Sequence, residues 1–165
     1  MIDTFSRCAF AIVLLVATVL SASAQTVDPL FFIQRSKNIN EVHYDANVAP
    51  DGALDPTSPI EGYWLNKASD GSRSPIRASQ RLAYGYSVEK ASQTMKLRAF
   101  PSRPLKLVRV DGKWRARMTV NGRLGYLTRL YVTSDDSGLI PKVLYVDIFG
   151  EDVGSGAALQ ERVNH

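Results

Sequence analysis

The sequence predicts a mainly β chain: a single antiparallel sandwich or barrel of about eight short strands, with one short helix. Three observations carry this. After Asp28 the apolar residues fall into short runs, several of them alternating with polar ones, as in strands with one buried face. Turn residues separate these runs at short intervals. Asp111-Gly112 and Asn121-Gly122 are two-residue hairpin signals, because the tight turn needs positive φ angles that Asn, Asp and Gly accept at least cost. With 165 residues, 45% hydrophobic and 22% charged, the chain has an ordinary globular composition and is long enough to bury one core without staples.

The elements follow in order. Met1 to Arg7 leads into the uncharged run Ala9 to Leu20, which ends in Ser21-Ala22-Ser23-Ala24-Gln25. An apolar stretch of this size, followed by small residues three places and one place before a break, is the pattern of a secretory signal peptide. Residues 1–24 are therefore expected to be removed, leaving 25–165 as one β-rich domain in a periplasmic or secreted location. An uncleaved anchor is the rival reading, and it needs about 20 apolar residues to span a bilayer. No second run of that kind occurs, so no transmembrane span is expected after cleavage. Cys8 is the one cysteine and lies in this leader, so the mature domain is expected to have no disulfide, cysteine nucleophile or thiolate metal site.

Leu30 to Lys37 and Glu41 to Val48 read as a first hairpin connected through Lys37 to Asn40. Pro50 to Pro59 is rich in turn residues and reads as a loop, and Ile60 to Asn66, containing Tyr63 and Trp64, as a strand. After the loop Lys67 to Arg73, Ser74 offers an N-cap, Pro75 a first helical position and Gly85 a left-handed stop, which predicts a helix over Pro75 to Tyr84. Met95, Leu97 and Ala99 alternate with Lys96 and Arg98, and Leu105 to Val110 forms the next strand. In Lys113 to Val120, Trp114, Ala116, Met118 and Val120 share one face. Arg123 to Thr133 continues the meander. Ser134 to Gly138 is a loop, and Lys142 to Phe149, apolar on both faces, predicts burial from both sides or an interface. Gly150 to Gly156 is loop-like, and the last segment carries no clear pattern.

Charge is unevenly distributed. Lys96 to Arg129 holds 10 bases and 1 acid, whereas Leu130 to His165 holds 2 bases and 6 acids. Strand alternation predicts a basic sheet face from Lys96, Arg98, Lys106, Arg115, Arg117, Arg123 and Arg129. Such a face attracts anions, and equally serves to keep sheet edges from associating. Export and the lack of a recognition signature count against nucleic acid as the partner.

With histidine limited to His43 and His165, a multi-histidine metal site is excluded, and the residues point to no metal or other cofactor. Ser36, His43 and Asp45 fall in one hairpin, but nothing around Ser36 resembles a nucleophile elbow. The acids Glu41, Asp45, Glu61, Asp147 and Glu151 show no spacing that singles out a catalytic pair. The densest polar group is Arg35-Ser36-Lys37-Asn38 with Asn40, His43 and Tyr44. It reads either as turn chemistry or as a loop in which Arg35 meets an anion. Tyr63, Trp64, Tyr84, Tyr86 and Trp114 are aromatic residues for a core or for stacking on a sugar.

The run Leu30-Phe31-Phe32-Ile33-Gln34-Arg35-Ser36-Lys37-Asn38, with Asn40 and Tyr44, then Pro59 with Tyr63-Trp64, Gln80-Arg81-Leu82-Ala83-Tyr84-Gly85 and Asn121-Gly122, resembles a family of exported bacterial domains of unknown function. The resemblance covers nearly all of Asp28 to Gln160. It implies a single compact domain behind a signal peptide, with no activity attached. It draws attention to Arg35, Ser36, Asn38, Asn40, Tyr44, Trp64, Gln80 and Tyr84 as ligand-binding candidates, which one pocket unites if Gln80 to Gly85 packs beside the first hairpin. Three functions stay open: a non-catalytic domain binding an anionic or glycan envelope component or a partner protein, a cell-envelope hydrolase acting on a glycan or ester, and a structural subunit whose strand Lys142 to Phe149 enters an assembly.

Overall fold

A computed structural model describes residues 26–135, 137–138 and 142–164. The proposed leader, residues 1–24, lies outside them. The described chain is mainly β, with 62% of it in strands that form one curled half-barrel sheet. Among the described residues there are eleven strands: β1 Thr26–Arg35, β2 Asn38–Val48, β3 Ile60–Leu65, β4 Arg73–Pro75, β5 Tyr86–Glu89, β6 Thr94–Leu97, β7 Leu105–Val110, β8 Lys113–Val120, β9 Arg123–Asp135, β10 Lys142–Asp152 and β11 Ala158–Asn164. The order is β4-β3-β2-β1-β9-β8-β7-β6-β5, with β10 on the other edge of β9 and β11 beyond it.

Local chemistry explains most of the strands. Asp111-Gly112 and Asn121-Gly122 adopt positive φ at both positions, the geometry of a two-residue hairpin turn whose twist matches that of the sheet. Between them, β8 buries Trp114, Ala116, Met118 and Val120 on one face and turns Arg115, Arg117 and Thr119 to the other. The same period puts Val42, Tyr44, Ala46 and Val48 of β2 in the core, with Phe31 and Ile33 of β1 and Leu105 and Leu107 of β7.

The helix is shorter than the sequence predicts. Pro75 ends β4, a 3-10 turn spans Ala78–Gln80, and α1 is the four residues Arg81–Tyr84. Gly85 is extended at φ −68°, not left-handed. No continuous apolar stripe runs through Pro75 to Tyr84, and Leu82 is 80% exposed, so packing gives a longer helix nothing to bury.

β9 organises the sheet. Its Arg123–Tyr126 stretch pairs antiparallel with β8, and on the same side its residues 129–132 pair in parallel with β1. β8 and β1 therefore share one edge of β9, at successive stretches of it, and a fork opens between them. On its other edge β9 pairs with β10 along most of its length. Over Tyr145–Glu151, β10 is in turn paired with β11, so both of its edges are filled there.

Candidate functional site

The fork between β1 and β8 opens a cleft of about 630 Å³ on the outer face of the sheet. Leu30 and Trp114, from the core layer, form its floor, and Phe32 and His43 stand on one side. Val110, Lys113 and Arg115 stand on the other, and Thr128 lies where the strands converge. Two β-bulges shape it. Leu30 is the extra residue between the pairs Pro29↔Asp45 and Phe31↔Tyr44, and Thr128 is the extra residue between Leu127↔Gly150 and Arg129↔Phe149. A bulge bends its strand and re-aims the next side chain, and such bulges recur beside functional sites. Across the gap one side chain replaces the missing ladder: the Asp28 carboxylate accepts the Trp114 backbone N–H at 2.8 Å. The Trp114 indole N–H donates to the Gly52 carbonyl at 3.1 Å, which fixes the floor.

The wall on the β1–β2 side is a polar and aromatic row. Phe32, His43 and Tyr63 are in register across β1, β2 and β3, with near-parallel rings 5.2 and 5.7 Å apart. The Arg73 guanidinium caps Tyr63 at 4.2 Å, a cation–π contact. Two buried carboxylates flank His43 on the same face of β2. Glu41 meets His43 Nε2 at 2.9 Å and accepts from Lys67 at 2.8 Å. Burial pushes the Glu41 carboxyl up, but the Lys67 and His43 hydrogen bonds outweigh this and leave it below its ordinary value. Asp45, 2% exposed, accepts the Tyr63 hydroxyl at 2.9 Å. Desolvation, then this bond to a carboxylate, pushes the Tyr63 phenol up to about 12.

The residues singled out from the sequence fall into two groups. Tyr44, Trp64, Gln80 and Tyr84 do meet, with Tyr44 and Tyr84 buried in the core and Trp64 and Gln80 half-buried at its margin. The Tyr44 hydroxyl donates to the Tyr84 carbonyl at 2.7 Å, and the Trp64 indole N–H donates to Gln80 Oε1 at 3.1 Å. The Trp64 and Tyr84 rings meet edge to face at 5.0 Å. Tyr44 is fully buried, and desolvation drives its phenol far above the ordinary range. Arg35, Ser36, Asn38 and Asn40 instead serve the β1–β2 turn. Arg35 donates to the Ser134 hydroxyl at 3.0 Å, and the Ser36 backbone N–H donates to the Val132 carbonyl. Asn38 Oδ1 accepts the Asn40 N–H, and Asn40 Oδ1 accepts the Ala68 N–H. Ser36 thus sits against β9, while His43 is engaged by Glu41 and Asp45 by Tyr63, so these three form no triad.

Long-range pairing alters the basic face. Arg115 pairs with Glu151, and Arg123 with Asp152 at 2.9 Å. Arg129 lies over the Phe149 ring at 4.1 Å. Lys106 donates to the Ser92 carbonyl. Lys96, Arg98 and Arg117 make no ion pair among the described residues. The acids of β10 and β11 therefore meet several of the bases that the middle of the sequence concentrates. Of the seven basic candidates, only Arg115 lines the fork cleft, and Arg98 lines a second cleft of about 400 Å³. Sequence reasoning missed Asp28, Phe32, Lys113 and Thr128. The signal available for them was Phe32, an outward aromatic beside an inward one.

Fold and site together define a single-sheet β half-barrel with a cleft where two strands fork. Residues 31–162 match the family described as Domain of unknown function (DUF4833), and the chain belongs to that family. No curated protein and no solved structure matches it. Among the described residues no group of three or more His, Cys, Asp or Glu is placed to hold a metal ion, and no helix is long and apolar enough to cross a membrane.

Proposed function

We propose that this is an exported, non-catalytic binding domain that takes an anionic glycan, or a similar ring-bearing anion of the cell envelope, in the cleft at the β1–β8 fork. Export rests on the composition of the leader. The observation that carries the rest is the convergence of two bulges and a strand fork on one cleft with an apolar floor. Its volume of about 630 Å³ falls in the range of small-ligand sites, roughly 300 to 1,000 Å³. Leu30, Trp114 and Phe32 offer apolar surface to a ring. Lys113, which has no ion pair among the described residues, offers a charge at the rim for an acidic substituent. Of the nearby carboxylates, Asp28 holds a backbone N–H, Glu41 holds Lys67 and His43, and Asp45 holds Tyr63, so that Asp111, in the hairpin turn at the rim, has no second free carboxylate beside it among the lining residues. This supports binding over acid–base chemistry.

Calorimetric titration of the purified protein with a uronic-acid oligosaccharide, and with a neutral oligosaccharide of equal length, tests the reading. Saturable binding of the acidic ligand alone is expected, weakened about tenfold by Phe32→Ala and by Lys113→Ala, with the ligand recovered intact. Equal heats for both ligands, or variants that bind like the parent, would overturn it. Turnover lost in His43→Asn would replace binding by hydrolysis.

A further inference from the structure

At the opposite margin of the sheet lies the cleft of about 400 Å³, lined by Gly62, Pro75, Ile76, Arg81, Gly85, Tyr86 and Arg98. We propose that this seam is a second ligand site, which takes the terminal phosphate of a small molecule between the guanidinium groups of Arg81 and Arg98.

The fold brings the backbones of the two arginines to one residue, Gly85, at the rim of this cleft. β4 pairs with β3 only over Tyr63–Leu65, so the outer edge of β3 at residues 60–62 faces the end of the curled sheet without a strand partner. Tyr86 fills that edge: its hydroxyl donates to the Ile60 carbonyl at 2.9 Å. A Cβ on Gly62 would stand 2.9 Å from the Tyr86 ring, so the ring approaches because this residue is glycine. On the facing wall, two backbone bonds run through Gly85. Its N–H donates to the Arg81 carbonyl at 2.8 Å, and its carbonyl accepts the Arg98 N–H at 2.8 Å. The aliphatic stem of Arg98 lies against Gly85, with Cδ only 3.0 Å from where a Cβ would sit.

Charge separates these two arginines from several others. Arg103, Arg115, Arg123 and Arg162 each meet a carboxylate, and Arg73 approaches Asp45. Arg81 and Arg98 meet none among the described residues, although they line one cleft. Glu61, the acid whose charge reaches Tyr86, forms no ion pair with either. Two like charges held on one concave surface repel until an anion lies between them. Guanidinium forks match the oxygens of a phosphate, and two of them balance its double charge. Pro75 and Ile76 supply an apolar wall for the carbon body of the ligand.

The test uses the purified protein, with 31P NMR and calorimetric titration against inorganic phosphate, glucose 6-phosphate, glucose and dihexanoyl phosphatidic acid at low and high salt. Saturable one-to-one binding of a phosphorylated probe is expected, with glucose inert. Arg81→Gln or Arg98→Gln should each weaken it about tenfold, and the double variant should abolish it. Arg117→Gln, on the outer face of β8, should bind like the parent. The stronger of glucose 6-phosphate and phosphatidic acid distinguishes a soluble ligand from a lipid headgroup. No binding of any phosphorylated probe, equal loss in Arg117→Gln, or full affinity in the double variant that still melts like the parent would overturn the proposal. Because the seam and the fork share no lining residue, either site can fail while the other stands.

Discussion

The fork and the seam are both places where the sheet lacks a backbone partner and a side chain stands in for it, but the substitutes differ in kind. At the fork, the Asp28 carboxylate only accepts, and it satisfies one N–H of β8. At the seam, the Tyr86 hydroxyl donates, and it satisfies the Ile60 carbonyl on the edge of β3. A neutral donor can be drawn into the margin of the core, where Tyr86 packs edge to face on Tyr44 at 5.7 Å. A carboxylate keeps its solvation, and the gap beside it stays wide. The larger cleft, about 630 Å³ against about 400 Å³, lies at the carboxylate gap.

Removing the substitutes sharpens this contrast. Tyr86→Phe keeps the ring but strands the Ile60 carbonyl, and a loss of about 1 to 3 kcal/mol in urea unfolding is expected. A loss near zero would mean that water replaces the hydroxyl and that the seam is as open as the fork. A third bridging side chain, the Glu161 carboxylate, gives a smaller, pH-dependent effect. Glu161 accepts two bonds from Arg103 and the Asn121 backbone N–H, and the Arg103 bonds, as the largest cause, hold its carboxyl down at about 2. Its folded value lies below its unfolded one. It therefore adds stability above about pH 4.5, which is lost as pH falls toward 2. With allowance for solvent screening this amounts to about 1 kcal/mol, and Glu161→Gln should flatten that stretch of the stability–pH curve. Least is expected of Asp28→Asn, which keeps an acceptor oxygen for Trp114 and should cost under about 1 kcal/mol. A cost matching that of Tyr86→Phe would erase the distinction between the two gaps.

The sequence shows those parts of the molecule that local chemistry decides. β7 and β8 follow the predicted limits because alternation and the two glycine turns act within a few residues. β5 and β11 went unrecognised: each is short, half-polar and stabilised by its neighbour more than by its own pattern. The helix was overextended because caps were present without an apolar face behind them. The fork was hidden for a topological reason, since it depends on a parallel pairing between Phe32 and Arg129, far apart in the chain. The same distance misleads the reading of charge, for Arg103 finds Glu161 and Arg115 finds Glu151 only after folding. Tyr44 and Trp64 stood out as polar aromatics, which is what a core residue with one hydrogen bond also looks like.

The central claim, that the fork is where this domain holds its ligand, is tested most directly by following backbone amide shifts as the uronic-acid oligosaccharide is added. The account predicts that the largest shifts cluster at Asp28–Phe32, Val110–Arg115 and Thr128, and that the neutral oligosaccharide moves none of them. Shifts spread over arginines and lysines across the whole surface, or confined to the β1–β2 turn at Arg35 to Asn40, would contradict it.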